Sequence, residues 1–213
     1  MNGTSVQQEQ SHKANYQSGQ IGKARRAVLE LALQLDYPLI LYCDGDRVLH
    51  WAEHYPHELV QVSADITHHD FTVIGRTPRA FASHPRNQRD TEAIVNHVFA
   101  QVSGHAWDVT AAARGLSRHA AQAILEACCD DEISTDVTWP LCHQHQTHLS
   151  QGYIEAEGLE FETADRFTDL VGQAGSLAAW RNQLDGDPLQ WVHRLNLARI
   201  EIEAMIQFTQ AMA

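Results

Sequence analysis

"PLILYCDGDRVLHWAEH", Pro38 to His54, is the stretch on which the fold turns. Leu39 to Cys43 is an apolar, β-prone run. Asp44-Gly45 follows, a pair that tolerates the positive φ angles of a two-residue hairpin turn. Read this way, a second strand starts at Asp46 and residues 39 to 51 form a hairpin. The competing reading makes Asp46 the N-cap of a helix over residues 46 to 55. As a strand, His50, Ala52 and His54 share one face while Trp51 and Glu53 take the other. As a helix, His50 and His54 stand one turn apart with Glu53 beside them. The hairpin is the simpler expectation.

Upstream, "IGKARRAVLELALQL" sets Ala24, Val28, Leu31, Ala32 and Leu35 at helical spacing, and Asp36, Tyr37 and Pro38 stop that helix. Downstream, "HELVQVSADI" and "HDFTVIGR" read as two more short strands, completing an antiparallel meander over residues 38 to 76. After Pro85 the pattern turns helical. "NQRDTEAIVNHVFAQVSG" predicts a helix ending at Gly104, and two more are expected at about 160 to 183 and 188 to 212. The expected class is therefore α+β, a small antiparallel β meander near the N-terminus followed by a mainly helical region. Its expected divisions are a polar disordered lead (1 to 20), a small α+β domain (21 to 86) and a helical domain (87 to 213).

Composition narrows the function. No apolar run approaches the roughly 20 residues that span a bilayer, so no membrane partner is expected. The polar N-terminal stretch lacks a secretory h-region, which predicts a cytoplasmic protein. In that setting Cys43, Cys128, Cys129 and Cys142 are expected to be buried thiols rather than a disulfide framework. Residues 130 to 213 hold 4 Lys or Arg against 14 Asp or Glu. So acidic a half repels phosphate backbones and anionic headgroups. No G-x-x-x-x-G-K or G-x-G-x-x-G loop is present to cradle a nucleotide.

Three constellations carry candidate chemistry. His50, Glu53 and His54 make H-x-x-E-H, which resembles the signature of inverted zinc peptidases. That resemblance implies two imidazole ligands, a glutamate that activates water, and a third acidic ligand, for which Glu155, Glu157, Glu160 and Glu162 are candidates. The expected hairpin turns Glu53 away from any such metal. "CHQHQTH" gathers Cys142, His143, His145 and His148, a thiolate and three imidazoles suited to zinc, with Cys128 or Cys129 as a further ligand. Its spacing is not that of a zinc finger or ribbon. "WDVTAAARGLSRHAAQAIL", residues 107 to 125, resembles a helix-turn-helix, with Gly115 in the turn and Ser117 capping the second helix. Arg114, Arg118 and His119 there, with Arg76, Arg79, Arg86 and Arg89 nearby, are the candidate DNA contacts, although Arg114 and Arg118 are balanced by Asp108 and Glu126.

The expected function is an intracellular regulatory or accessory protein that works by binding, with DNA as a candidate partner through residues 76 to 125. The alternatives are a small zinc-dependent hydrolase centred on His50, Glu53 and His54, and a protein-interaction or assembly factor that touches no nucleic acid. In residues 188 to 212, Trp191, Leu195, Ala198, Ile202, Met205 and Met212 recur at steps of four and three, the spacing of a seam that faces another helix. Val192, Ile200, Ile206 and Phe208 lie outside that seam, which points to a homodimer or a protein partner.

Overall fold

The computed structural model describes residues 20 to 146 and 148 to 212; most of the lead expected at 1 to 20 lies outside them, as does the Met212 side chain. In chain order the elements are α1 (Ile21–Gln34), β1 (Leu39–Tyr42), α2 (Gly45–His54), α3 (Pro56–Asp65), β2 (Phe71–Arg76), α4 (Pro78–Ser83) and α5 (Arg86–Ser103). They continue with β3 (Ala113–Ser117), α6 (Arg118–Ala127), α7 (Thr135–Gln144), β4 (Gln151–Ala156), α8 (Thr163–Arg166), α9 (Thr168–Ala174), α10 (Leu177–Gly186) and α11 (Pro188–Met212). The class is α+β, with its first strand near the N-terminus and a mostly helical chain after it. No helix among the described residues is long and apolar enough to cross a membrane.

The sheet has the order β1-β3-β2-β4. β3 runs antiparallel to both β1 and β2, and β4 runs parallel to β2. The local meander over 38 to 76 is thus corrected: its two strands do not touch, and the one between them arrives from residues 113 to 117. Residue 86 is no boundary for the sheet, which takes two strands from each side of it. Strand alternation divides the core in two. Ile40, Tyr42, Phe71, Val73 and Leu116 face a cluster with Leu29, Val95, Phe99, Ile124, Trp139 and Met205. Ile74, Ala113 and Ala156 face the other way, onto Trp51, Val62, Ile66 and Leu159.

The hairpin at Asp44-Gly45 is also corrected. Asp44 is extended (φ −62°, ψ 141°) and Gly45 opens α2. Positive φ occurs, among the described residues, only at Gly104, Ala112 and Gly175. The buried face of α2 is Arg47, His50 and Trp51, spacing that only a helix provides. Trp51 is fully buried and its Nε1–H donates to Glu58 Oε2 at 2.8 Å. "HELVQVSADI", expected as a strand, is α3, with Pro56 at its first turn, where a missing N–H costs nothing.

Residues 107 to 125 do not form a helix-turn-helix. Ala113–Ser117 is the second strand of the sheet, hydrogen-bonded on both sides. Gly115 serves close packing rather than a turn: a Cβ there would stand 2.5 Å from Ile66 Cβ. Ser117 does cap the following helix, accepting from Ala120 N–H. Of the four cysteines, Cys128 and Cys142 are joined as a disulfide, which corrects the expectation of free thiols there; Cys43 and Cys129 are free. The long helix expected at 160 to 183 is broken into α8, α9 and α10, with Gly175 in the left-handed region after α9.

Candidate functional site

The sheet ends in charge. Where β1 finishes and β3 begins, α1, α5, α7 and α11 converge around a cavity of about 160 Å3. An apolar cavity of about that volume holds a benzene-sized ligand. This one is polar: Arg25, Arg47 and Arg194 line it with Asp44, Glu92, Asp136 and Glu201.

Most of these groups are tied. Arg25 comes from the inner face of α1 and donates through Nη1 to Asp136 Oδ1 and Thr135 Oγ1, both at 2.7 Å. Burial disfavours the Arg25 cation, but Asp136 outweighs it and holds its pKa above the ordinary value. Arg47, on α2, donates through Nε and Nη2 to Glu162 Oε1 at 3.3 and 3.2 Å, and through Nη1 to the Ala111 carbonyl. Arg194 donates to Gln88 Oε1 at 2.8 Å and lies 3.7 Å from Glu92. Glu92 in turn holds Arg76 at 2.7 Å, and Arg76 is clasped on its other side by Asp108. The Asp108 carboxyl is held far below its usual range: burial would raise it, and Arg76 reverses that.

Glu201 is different. It is 5% exposed, faces the cavity from α11, and no hydrogen bond or ion pair reaches it among the described residues. Burial pushes its carboxyl well above the usual range; Asp136 and Glu92 push the same way against Arg25 and Arg194. Burial raises the Asp136 carboxyl too, against Arg25 and Arg114. Arg25 is bonded directly to Asp136, whereas no such cation is bonded to Glu201 among the described residues, so burial bears more heavily on the Glu201 carboxyl.

Ala112 completes the wall. With φ 55° and ψ 25° it is the one non-glycine among the described residues in the left-handed region. Such backbone costs roughly 1 to 2 kcal/mol and clusters at functional sites.

The residues predicted from sequence fall elsewhere. α2 does bring His50 and His54 to one face, with rings stacked at 4.3 Å. Both nitrogens of His50 are engaged, Nδ1 with Asp165 at 2.6 Å and Nε2 with Glu160 at 3.3 Å. His54 Nδ1 lies 3.1 Å from the His50 carbonyl, and Glu53 is exposed. Cys142 is spent on Cys128, while His143 is buried and stacked on Phe71 at 4.8 Å. His145 lies against Phe208 and His148 is exposed, so the four do not converge. Among the described residues no group of three or more His, Cys, Asp or Glu could hold a metal ion, so neither candidate zinc motif gathers a ligand set there.

Nor do the arginines make a basic face. Arg76 is buried between Glu92 and Asp108, Arg79 is paired with Glu157 and Glu160, and Arg86 with Asp90. Arg114 lies in the sheet, donating to the carbonyls of Ala113, Val109 and Asp136. Arg118 donates to the Leu33, Leu35 and Tyr37 carbonyls and Arg89 to that of Ala82. His119, exposed, lines a surface hollow with the acids Asp70 and Glu126. A phosphate backbone needs free cations in a row.

Sequence reasoning missed Arg25, Asp44, Arg47, Glu92, Asp136, Arg194 and Glu201. One signal was available: Arg25 and Leu29, and Arg194, Ala198, Glu201 and Met205, share one helix face each, so charges stand where apolar periodicity continues. No protein-family model, curated protein or solved structure matches this chain.

Proposed function

We propose that the protein is an intracellular accessory or regulatory protein that works by binding a small polar ligand in the cavity between α1, α5, α7 and α11. The observation that carries this reading is Glu201, a buried residue in the cavity wall whose carboxyl has no partner among the described residues. Buried polar groups in folded proteins are almost always paired, and one left open at a cavity marks a place for a ligand. The strained Ala112 beside it and the ring of paired charges that fixes the wall support the same reading. Thermal denaturation with a panel of small amines, carboxylates and zwitterions tests it. At least one class is expected to raise Tm, and Ala198→Leu, which fills the cavity, is expected to abolish that shift. A panel without effect overturns the reading.

A second reading, contact with a protein partner or a second copy, draws on α11. Its buried stripe of Ala198, Glu201 and Met205 packs on α5 and α7 within the chain. Leu189, Val192, Leu195 and Ile206 are left exposed on its outer side. Light scattering at micromolar concentration is expected to give a dimer mass that falls to monomer in a Val192→Asp, Ile206→Asp variant; a monomer in the unaltered protein removes this reading.

A further inference from the structure

We infer that the ligand of the central cavity carries a cationic amino group and that Glu201 receives it. The inference rests on the reading of this cavity as a ligand site and adds the chemistry of the ligand.

The wall leaves acceptors open on three carboxyls, while among its three arginines open donors remain only on Arg25 and Arg194. Arg47 spends all three of its nitrogens on Glu162 and the Ala111 carbonyl. Arg25 spends Nη1 on Thr135 and Asp136, and Arg194 spends Nη2 on Gln88. On the acidic side, Glu201 has no partner among the described residues, and Asp44, at the N-cap of α2, makes no side-chain cap bond. Asp136 is reached by Arg25 on Oδ1 alone. An entering anion would meet three arginines each already engaged with an acidic side chain, and the Asp44 and Asp136 carboxyls beside them. An ammonium group offers three donors and no acceptor, and its bonds to carboxylates are charge-assisted.

The groups that face Glu201 favour the same partner. Glu92 from α5 and Asp136 from α7 are acidic; Arg25 from α1 and Arg194, two turns earlier on α11, are the cations, each already paired. A cation bonded to Glu201 satisfies a carboxyl that is buried without a bonded partner among the described residues. The volume, about 160 Å3, suits a short-chain amine or a compact amino compound.

Calorimetric titration of the full chain with n-propylammonium, propionate and propionamide, three probes of similar size, separates the possibilities. Propylammonium is expected to bind and the other two to give no heat of binding. Glu201→Gln, which keeps the shape and removes the charge, is expected to weaken propylammonium about ten- to a hundred-fold. Glu201→Asp, which shortens the reach, is expected to weaken it less. Glu203→Gln, two residues along the helix and exposed, is expected to leave it unchanged. Unaltered circular dichroism of each variant establishes that folding is intact, and Glu201→Asp serves if the glutamine variant does not fold. Propionate binding in place of propylammonium overturns the inference while the cavity keeps its place as a ligand site. Equal affinity in both Glu201 variants overturns it as well. Silence from all three probes overturns it, and the broader panel of zwitterions and carboxylates then decides the parent reading separately.

Discussion

Arg25 and Asp136 meet at 2.7 Å, both buried, and join the first helix to α7 across 111 residues of chain. A buried pair of this kind is fragile to the loss of one partner, because the survivor keeps its desolvation cost without compensation. Arg25→Met alone is expected to destabilise the fold by about 3 to 5 kcal/mol in urea denaturation. Arg25→Met combined with Asp136→Leu is expected to recover much of that loss, since neither charge remains buried. A double variant no better than the single one would show that the pair is not the coupled unit described above.

Gly115 and Ile66 make a second coupled pair, in the layer opposite the cavity. Gly115→Ala places a Cβ 2.5 Å from Ile66 Cβ and is expected to cost about 1 to 3 kcal/mol. Adding Ile66→Ala makes room and is expected to return part of it, a coupling that a double-mutant cycle measures. A glycine in a solvent-facing helix-turn-helix corner would show no such coupling.

The same two residues show why the sheet was hard to read. Gly115-Leu116 carries the composition of a turn, and its neighbours Ala111, Ala112 and Ala113 that of a helix. What makes the segment a strand is non-local: β1 and β2 both need it as a hydrogen-bonding partner, and tertiary pairing overrides propensity. The helices α1 and α5 were legible because helical periodicity and stop signals are local, but their inward faces were not: Val28, Leu35 and Ile94 are exposed, while Arg25 and Leu29 of α1 and Thr91, Val95 and Phe99 of α5 are buried. The cavity was not, because its residues are charges at buried positions. In α11 the seam drawn through Leu195 and Ile202 avoids Glu201, yet the face that packs inward runs through Ala198, Glu201 and Met205, and Leu195 is exposed. Hydropathy places such a glutamate outside; only the cavity explains it.

Ala112→Gly is expected to stabilise the protein by roughly 0.5 to 1 kcal/mol. Relief of the left-handed backbone is worth about 1 to 2 kcal/mol, and the added freedom of the unfolded chain returns about half of it. A thermal or urea midpoint that rises without loss of ligand binding marks the strain as incidental to the site. A rise accompanied by weaker binding ties the strain to the position of the wall.

Glu201 sets a pH dependence whose sign is fixed by its surroundings. Its folded carboxyl titrates well above the ordinary value of 4.5, because burial disfavours the charged form. The folded state therefore binds a proton more tightly than the unfolded chain. Its contribution is fully present below about pH 4.5 and is lost as pH rises toward the folded pKa. Glu201→Gln removes this dependence, since an amide does not titrate. The variant is expected to match the unaltered protein near pH 4 and to exceed it in Tm at neutral pH, by an amount that grows through that window. The amine of the cavity is expected to act the opposite way, raising Tm of the unaltered protein most at neutral pH, where forming the ammonium–carboxylate pair offsets the largest penalty. Tm curves of the two proteins that stay parallel from pH 4 to neutral would show that Glu201 is ionised and compensated in the empty fold, and the cavity would then have no unmet carboxyl to offer.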